Sequence, residues 1–191
     1  MKQLKSNSIT KAAKIIAYKV IIFTSLCAFS QELIDAKKQL SLGNFNSAYL
    51  TFKKLAEDGN AEAQSELGLI YGEGLGVSKN AESSFIWHLK AASNGVTYSQ
   101  YVVGDMYSNG IGVIRNDSLS RYWLEKAAES GNINSMINLS IIYSTTDYEK
   151  SYFWILKAKS IDPYFASKEL ISNIENNLTS LQIEKISKQI K

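Results

Sequence analysis

The chain has 191 residues, 45% of them hydrophobic and 20% charged, enough for one domain of ordinary size with a core of its own. Its formal charge of +3 comes from residues 1 to 30: Lys2, Lys5, Lys11, Lys14 and Lys19 lie there with no acid, and without them 16 basic face 18 acidic residues, a charge of −2. That balance excludes a basic nucleic-acid face. One cysteine and one histidine argue against disulfide chemistry and a zinc centre.

The first predicted element is a leader. A basic start, an apolar run from Val20 to Phe29, and small residues at Ala28 and Ser30 form a secretory signal pattern over residues 1–30, with cleavage before Gln31. The run is shorter than the roughly 20 residues a helix needs to cross a bilayer, so no permanent span is expected after cleavage. Cys27 falls inside the leader. Leu26 before it is larger than the residue that bacterial lipoprotein signals carry there, so cleavage without lipidation is the preferred reading. The mature product is expected outside the cytoplasm, periplasmic or secreted.

After the leader the chain copies itself. Gly59, Gly95 and Gly131 stand 36 residues apart, and residues 60–95 overlie 96–131 without a gap. Leu67, Gly68 and Tyr71 fall on Val103, Gly104 and Tyr107; Gly74, Gly76 and Val77 fall on Gly110, Gly112 and Val113; Trp87 falls on Trp123. A third copy, 132–160, keeps Leu139, Tyr143, Trp154, Lys157 and Ala158 but lacks five residues of the glycine-rich turn. Residues 31–59 read as a worn first unit, and atypical end units are expected in stacked repeats.

Each full copy shows apolar residues at helical spacing on both sides of its turn, as in Ala63, Leu67 and Tyr71, then Ser84, Trp87 and Ala91. Each copy is therefore a predicted helix hairpin. Asn60, Asn80, Asp117 and Asn132 are placed to cap helix starts, and Gly59, Gly95 and Gly131 to end helices in left-handed geometry. Small residues such as Gly68, Gly104, Ala91 and Ala127 let backbones approach, while Trp87, Trp123 and Trp154 are expected to fill the wider gaps, with ~3 to 5 kcal/mol lost on truncation to alanine.

The stretch Tyr71–Val77 superficially suggests a phosphate loop. A phosphate loop follows a strand and carries Lys and Ser/Thr, whereas this one joins two helices and occurs twice, so it reads as a turn. His88 aligns with Leu124 and Ile155 and is assigned a packing role. Glu57 and Asp58 lie at a helix end beside Gly59 and read as solvated charge. No catalytic grouping can be argued from spacing, and no cofactor or metal is expected.

The pattern L-G-x-x-Y-x-x-G-x-G-V followed by W-x-x-K-A-A-x-x-G, carried by Leu67 to Gly95 and again by Val103 to Gly131, resembles the Sel1-like repeat, a relative of the tetratricopeptide repeat. The resemblance, to an exported bacterial member, implies an all-α right-handed solenoid of antiparallel helix pairs whose concave side binds another protein or peptide. It implies no reaction. Some secreted members are cysteine-rich and linked to β-lactam binding or hydrolysis, but this chain has no cysteine after Cys27. A cell-wall or β-lactam-acting enzyme, and a toxin-neutralising or secretion accessory protein, remain the alternatives.

Positions that do not follow the repeat are the candidate groove. On the first helices these are Ser65, Leu69, Tyr98, Tyr101, Asp105, Asn109, Ile137 and Ile141, which offer aromatic area with polar ends to a peptide. Residues 161–191 are expected to close the array with capping helices. Thr179 and Gln182 have capping-box spacing, and Ile183, Ile186 and Ile190 share one side of the last helix.

Overall fold

A computed structural model describes residues 30–164 and 168–190. The leader reading, Cys27 included, falls outside them. Among the described residues there are ten helices and no strand. They are α1 (30–41), α2 (Phe45–Glu57), α3 (Ala61–Glu73), α4 (Ala81–Ser93), α5 (Thr97–Asn109), α6 (Asp117–Glu129), α7 (Ile133–Tyr143), α8 (Tyr148–Ile161), α9 (Lys168–Glu175) and α10 (Ser180–Ile190). From α2 to α9 consecutive helices pack on one another, most extensively within the pairs α3/α4, α5/α6 and α7/α8, and α10 folds back on α8, which makes the fold an α-solenoid of helix hairpins.

The helix boundaries follow local chemistry. The side chains of Asn60, Asn80 and Asn132 each accept the amide three residues on at 2.8 Å. The start of α6 corrects the sequence expectation: Asn116, in extended conformation, accepts from Ser118 and Leu119, while Asp117 is the first helical residue. There its carboxylate complements the helix dipole and pairs with Arg115. Val96 occupies the corresponding place before α5 and makes no side-chain cap. Gly59, Gly95 and Gly131 have φ of +92°, +86° and +90°, the left-handed geometry expected at those helix ends.

Within a hairpin, the two helices meet where one position has no side chain. A Cβ on Gly68 would lie 2.7 Å from the His88 ring, and one on Gly104 would lie 2.7 Å from Leu124. The buried interior is made of such contacts together with Phe52, Leu55, Leu67, Ile70, Val103, Leu139 and Ile155, all at most 1% exposed. Fully burying one such side chain contributes about 1.5 to 3 kcal/mol.

The tryptophans fit this interior less uniformly than the sequence implied. Trp154 is 9% exposed and belongs to the core, but Trp87 and Trp123 are only half-buried at its margin. Phe85, His88, Ala91 and Ala92 take the inward positions of α4, leaving Trp87 to pack sideways with the Lys90 ammonium 3.8 Å from its ring centroid.

The glycine-rich turn does two jobs. In every copy the amide that caps the second helix donates to the tyrosine carbonyl ending the first: Asn80 to Tyr71 at 2.8 Å, Asn116 to Tyr107 at 2.9 Å and Asp147 to Tyr143 at 2.8 Å. Hairpin closure thus survives the loss of five residues in the third copy. The second job does not survive. Gly76 presses on the start of α2, where an added Cβ would lie 2.8 Å from Phe45, and Gly112 presses on the start of α4, where a Cβ would overlap the Ala81 carbonyl. The third turn, Ser144 to Thr146, has no such glycine, and Asp117 at the start of α6 keeps 66% of its side chain exposed.

The C-terminal helices close the array. Thr179 and Gln182 form the reciprocal capping box, with Thr179 N–H donating to Gln182 Oε1 at 2.8 Å and Gln182 N–H to Thr179 Oγ1 at 3.3 Å. Ile186, Ile171 and Ile174 pack with Tyr152 and Ile155 of α8. The Tyr152 hydroxyl donates to Glu175 at 2.8 Å, and burial followed by that bond pushes its pKa up to about 12.

Candidate functional site

Two clefts stand at equivalent places in neighbouring repeats. The first, of about 240 Å³, lies between α3, α4 and α5 and is walled by Leu69, Lys79, His88, Tyr98, Val102 and Ile111, among others. The second, of about 300 Å³, is lined by Ser108, Arg115, Asp117, Ser120, Arg121, Ile142 and Thr146. A shift of 36 residues carries Gly72, Lys79, Ala81, Ser84 and Met106 of the first onto Ser108, Arg115, Asp117, Ser120 and Ile142 of the second. One geometry therefore presents two sets of side chains, aliphatic and aromatic groups beside Glu73 and Lys79 in the first cleft, two arginines with Asp117 and hydroxyls in the second.

The candidate groove residues divide between the first cleft, the interior and the open surface, and none of them lines the second cleft. Leu69 and Tyr98 come together in the first cleft, with Tyr98 49% exposed and its ring edge-on to His88, centroids 6.1 Å apart. Burial, then Glu66 and Glu73, raise the Tyr98 pKa, and burial also raises that of Glu66. Ser65 is in the interior rather than on an open face, 8% exposed and accepting from Ser99 Oγ at 2.9 Å. Tyr101 and Ile137 are half-buried against the α6–α8 core, so packing claims much of their surface. Asp105 is half-buried and receives the Asn109 amide at 3.1 Å, while Asn109 and Ile141 are exposed.

His88 is 3% exposed, with Nδ1 3.1 Å from Ser99 Oγ, and burial pulls its pKa down to about 4. The imidazole is neutral at pH 7. The His88, Ser99 and Ser65 chain has no carboxylate orienting the ring, so it satisfies buried polar atoms without supplying an activated nucleophile. Among the described residues no group of three or more His, Cys, Asp or Glu is placed to hold a metal ion, and no helix is long and apolar enough to cross a membrane.

Sequence reasoning did not single out Val102, Met106 and Ile111, nor Arg115 and Arg121. The repeat register held a usable signal for Arg115, which matches Lys79 in the turn of the preceding copy. Arg121 carried none, because its place beside Ser120 becomes a cleft wall only when the third hairpin leaves the α6 start uncovered.

Comparison with known proteins agrees with this architecture. The family profile described as Sel1 repeat matches residues 61–96, 97–132 and 135–160, about half of the chain, and the protein belongs to that family. A Sel1 repeat protein from Oxalobacter formigenes, known from its crystal structure, is 25% identical, with a TM-score of 0.63 over 68% of this chain and 53% of that one. A protective antigen of uropathogenic Escherichia coli displaying an SLR fold is 23% identical, with a TM-score of 0.55 over 85% of this chain and 46% of that one. The chain thus spans about half the length of these solved structures. No curated protein matches it. Sel1-repeat proteins generally act as non-catalytic scaffolds for protein interaction.

Proposed function

We propose that this protein is an exported scaffold or adaptor whose clefts along the first helices of its repeats bind a segment of another protein or a peptide, with no chemistry of its own. The observation that carries the reading is the first cleft. Tyr98 and Ile111, 49% and 45% exposed, flank half-buried Leu69 and Val102, an apolar and aromatic surface beyond what the stacked core needs. Aromatic anchors beside polar groups such as Glu73 and Lys79 suit peptide recognition. Export rests on the leader pattern of residues 1–30.

The test is partner capture from an envelope extract of the source cells, read by mass spectrometry, with Tyr98→Ala/Ile111→Ser as the comparison. One dominant protein lost in the variant, at an unchanged melting temperature, is the expected result. Equal capture by both rejects the cleft. Amino-terminal sequencing of the envelope product is expected to begin at Gln31, and recovery of the intact leader from the cytosol overturns export.

A further inference from the structure

The second cleft carries a property that scaffolding alone does not require. The third hairpin lacks the glycine turn that covers Ala81 in the preceding repeat, so the start of α6 opens into the cleft beside Thr146 and Ile142. Ser120 lines it at 1% exposure with a hydroxyl that has no hydrogen-bond partner among the described residues. Its counterpart Ser151, by contrast, donates to the Ser140 carbonyl at 2.8 Å. A buried hydroxyl without a partner is uncommon and costs free energy unless something supplies one.

Arg121 lines the same cleft and makes no ion pair within 4 Å of any described carboxylate, although its charge acts at longer range to help hold the Asp117 carboxyl low. Arg115 is engaged, its Nε donating to Asp117 Oδ1 at 2.9 Å and its Nη2 to Oδ2 at 3.3 Å. Two guanidiniums against one carboxylate leave the wall with one excess positive charge. The amides of Ser118 and Leu119 are already taken by Asn116, so recognition falls on side chains.

We infer that this cleft receives a single carboxylate from the bound partner, an Asp or Glu side chain, with Arg121 as its counter-charge and the Ser120 hydroxyl, closed to solvent in the free protein, turning into the cleft as its hydrogen-bond donor. A guanidinium with its fork unoccupied matches carboxylate geometry. Asp117 in the wall opposes a doubly charged phosphate more strongly than a singly charged carboxylate. The inference rests on the scaffold reading and specifies what one of its two clefts selects: an acidic residue there, and an apolar or aromatic one in the cleft before it.

The experiment titrates the full-length, ¹⁵N-labelled protein with the capped tripeptide acetyl-Ala-Glu-Ala-amide and, separately, with its Gln analogue. Saturating shifts at the Arg121 Nε–H and the amides of residues 116–121 are expected with the Glu peptide. Binding at least tenfold weaker is expected with the Gln peptide and with Arg121→Gln, and an intermediate loss with Arg121→Lys, all at unchanged melting temperature. Equal response to the two peptides, or an unaltered response in Arg121→Gln, overturns the site. If the Glu peptide is ignored while Tyr98→Ala/Ile111→Ser still loses its partner, the carboxylate site fails and the scaffold reading stands. If the Glu peptide binds through Arg121 while capture ignores Tyr98 and Ile111, the first cleft fails instead.

Discussion

The turn of the second repeat and the turn of the third close the same kind of hairpin with the same hydrogen bond, from the Asn116 amide to Tyr107 and from the Asp147 amide to Tyr143. They differ in what else they touch. The longer one places Gly112 on the start of α4, whereas the shorter leaves Asp117 of α6 largely exposed beside a cleft. The five extra residues are therefore dispensable for forming a hairpin and serve to seal it to its neighbour. Where sealing is lost, surface chemistry becomes available.

Substitution of Gly112 by alanine tests that division most severely. A Cβ there would overlap the Ala81 carbonyl and impose a side chain on a φ of +67°, so a loss of about 3 to 5 kcal/mol is expected from strain and displaced packing together. Gly131→Ala is the control, because its φ is +90° but nothing lies within 4 Å of the added carbon; only the left-handed cost of about 1 to 2 kcal/mol should appear. Urea denaturation of both variants measures the difference. Equal losses would mean that the turn does not seal neighbouring repeats.

The second test compares copies at His88, which stands where the other copies have Leu124 and Ile155. Burial lowers its folded pKa to about 4 from an ordinary 6.5, so the unfolded chain binds the proton more readily. Stability from this residue is then fully present above pH 6.5 and is lost as pH falls toward 4, up to about 3 kcal/mol over that window. Melting curves of the wild type and His88→Leu between pH 7 and pH 4 are expected to differ in slope, the variant being flatter. Parallel curves would mean that His88 is protonated without unfolding.

The smallest effect expected is a gain. Val96 stands where Asn60 and Asn132 cap their helices, and Val96→Asn should add the missing bond and stabilise the chain by about 0.5 to 1 kcal/mol. An unchanged denaturation midpoint would show that the α5 start is held by packing alone.

Much of the fold was legible in the chain because each feature is local. The 36-residue register, the asparagine caps and the left-handed glycines all act within one turn of where they stand. The role of Asn116 was misplaced by one residue because both Asn116 and Asp117 can cap, and only the extended backbone of Asn116 distinguishes them. Where the candidate groove residues lie was legible only in part. Leu69 and Tyr98 were visible as departures from the repeat, but Ser65, Tyr101 and Ile137 depart from it too and spend their surface on hydrogen bonding or packing inside the array.

By itself, the sequence determined a family, a helix-pair repeat and its register, because spacing and residue type encode hairpins directly. Only the tertiary structure decided which nonrepeating side chains face open space. It also showed that the third copy, without that turn, leaves Asp117 exposed beside a cleft lined by Arg121 and the buried Ser120. The reason is physical: exposure depends on the neighbouring repeat, and a deletion in one hairpin alters the surface of a helix in the hairpin before it.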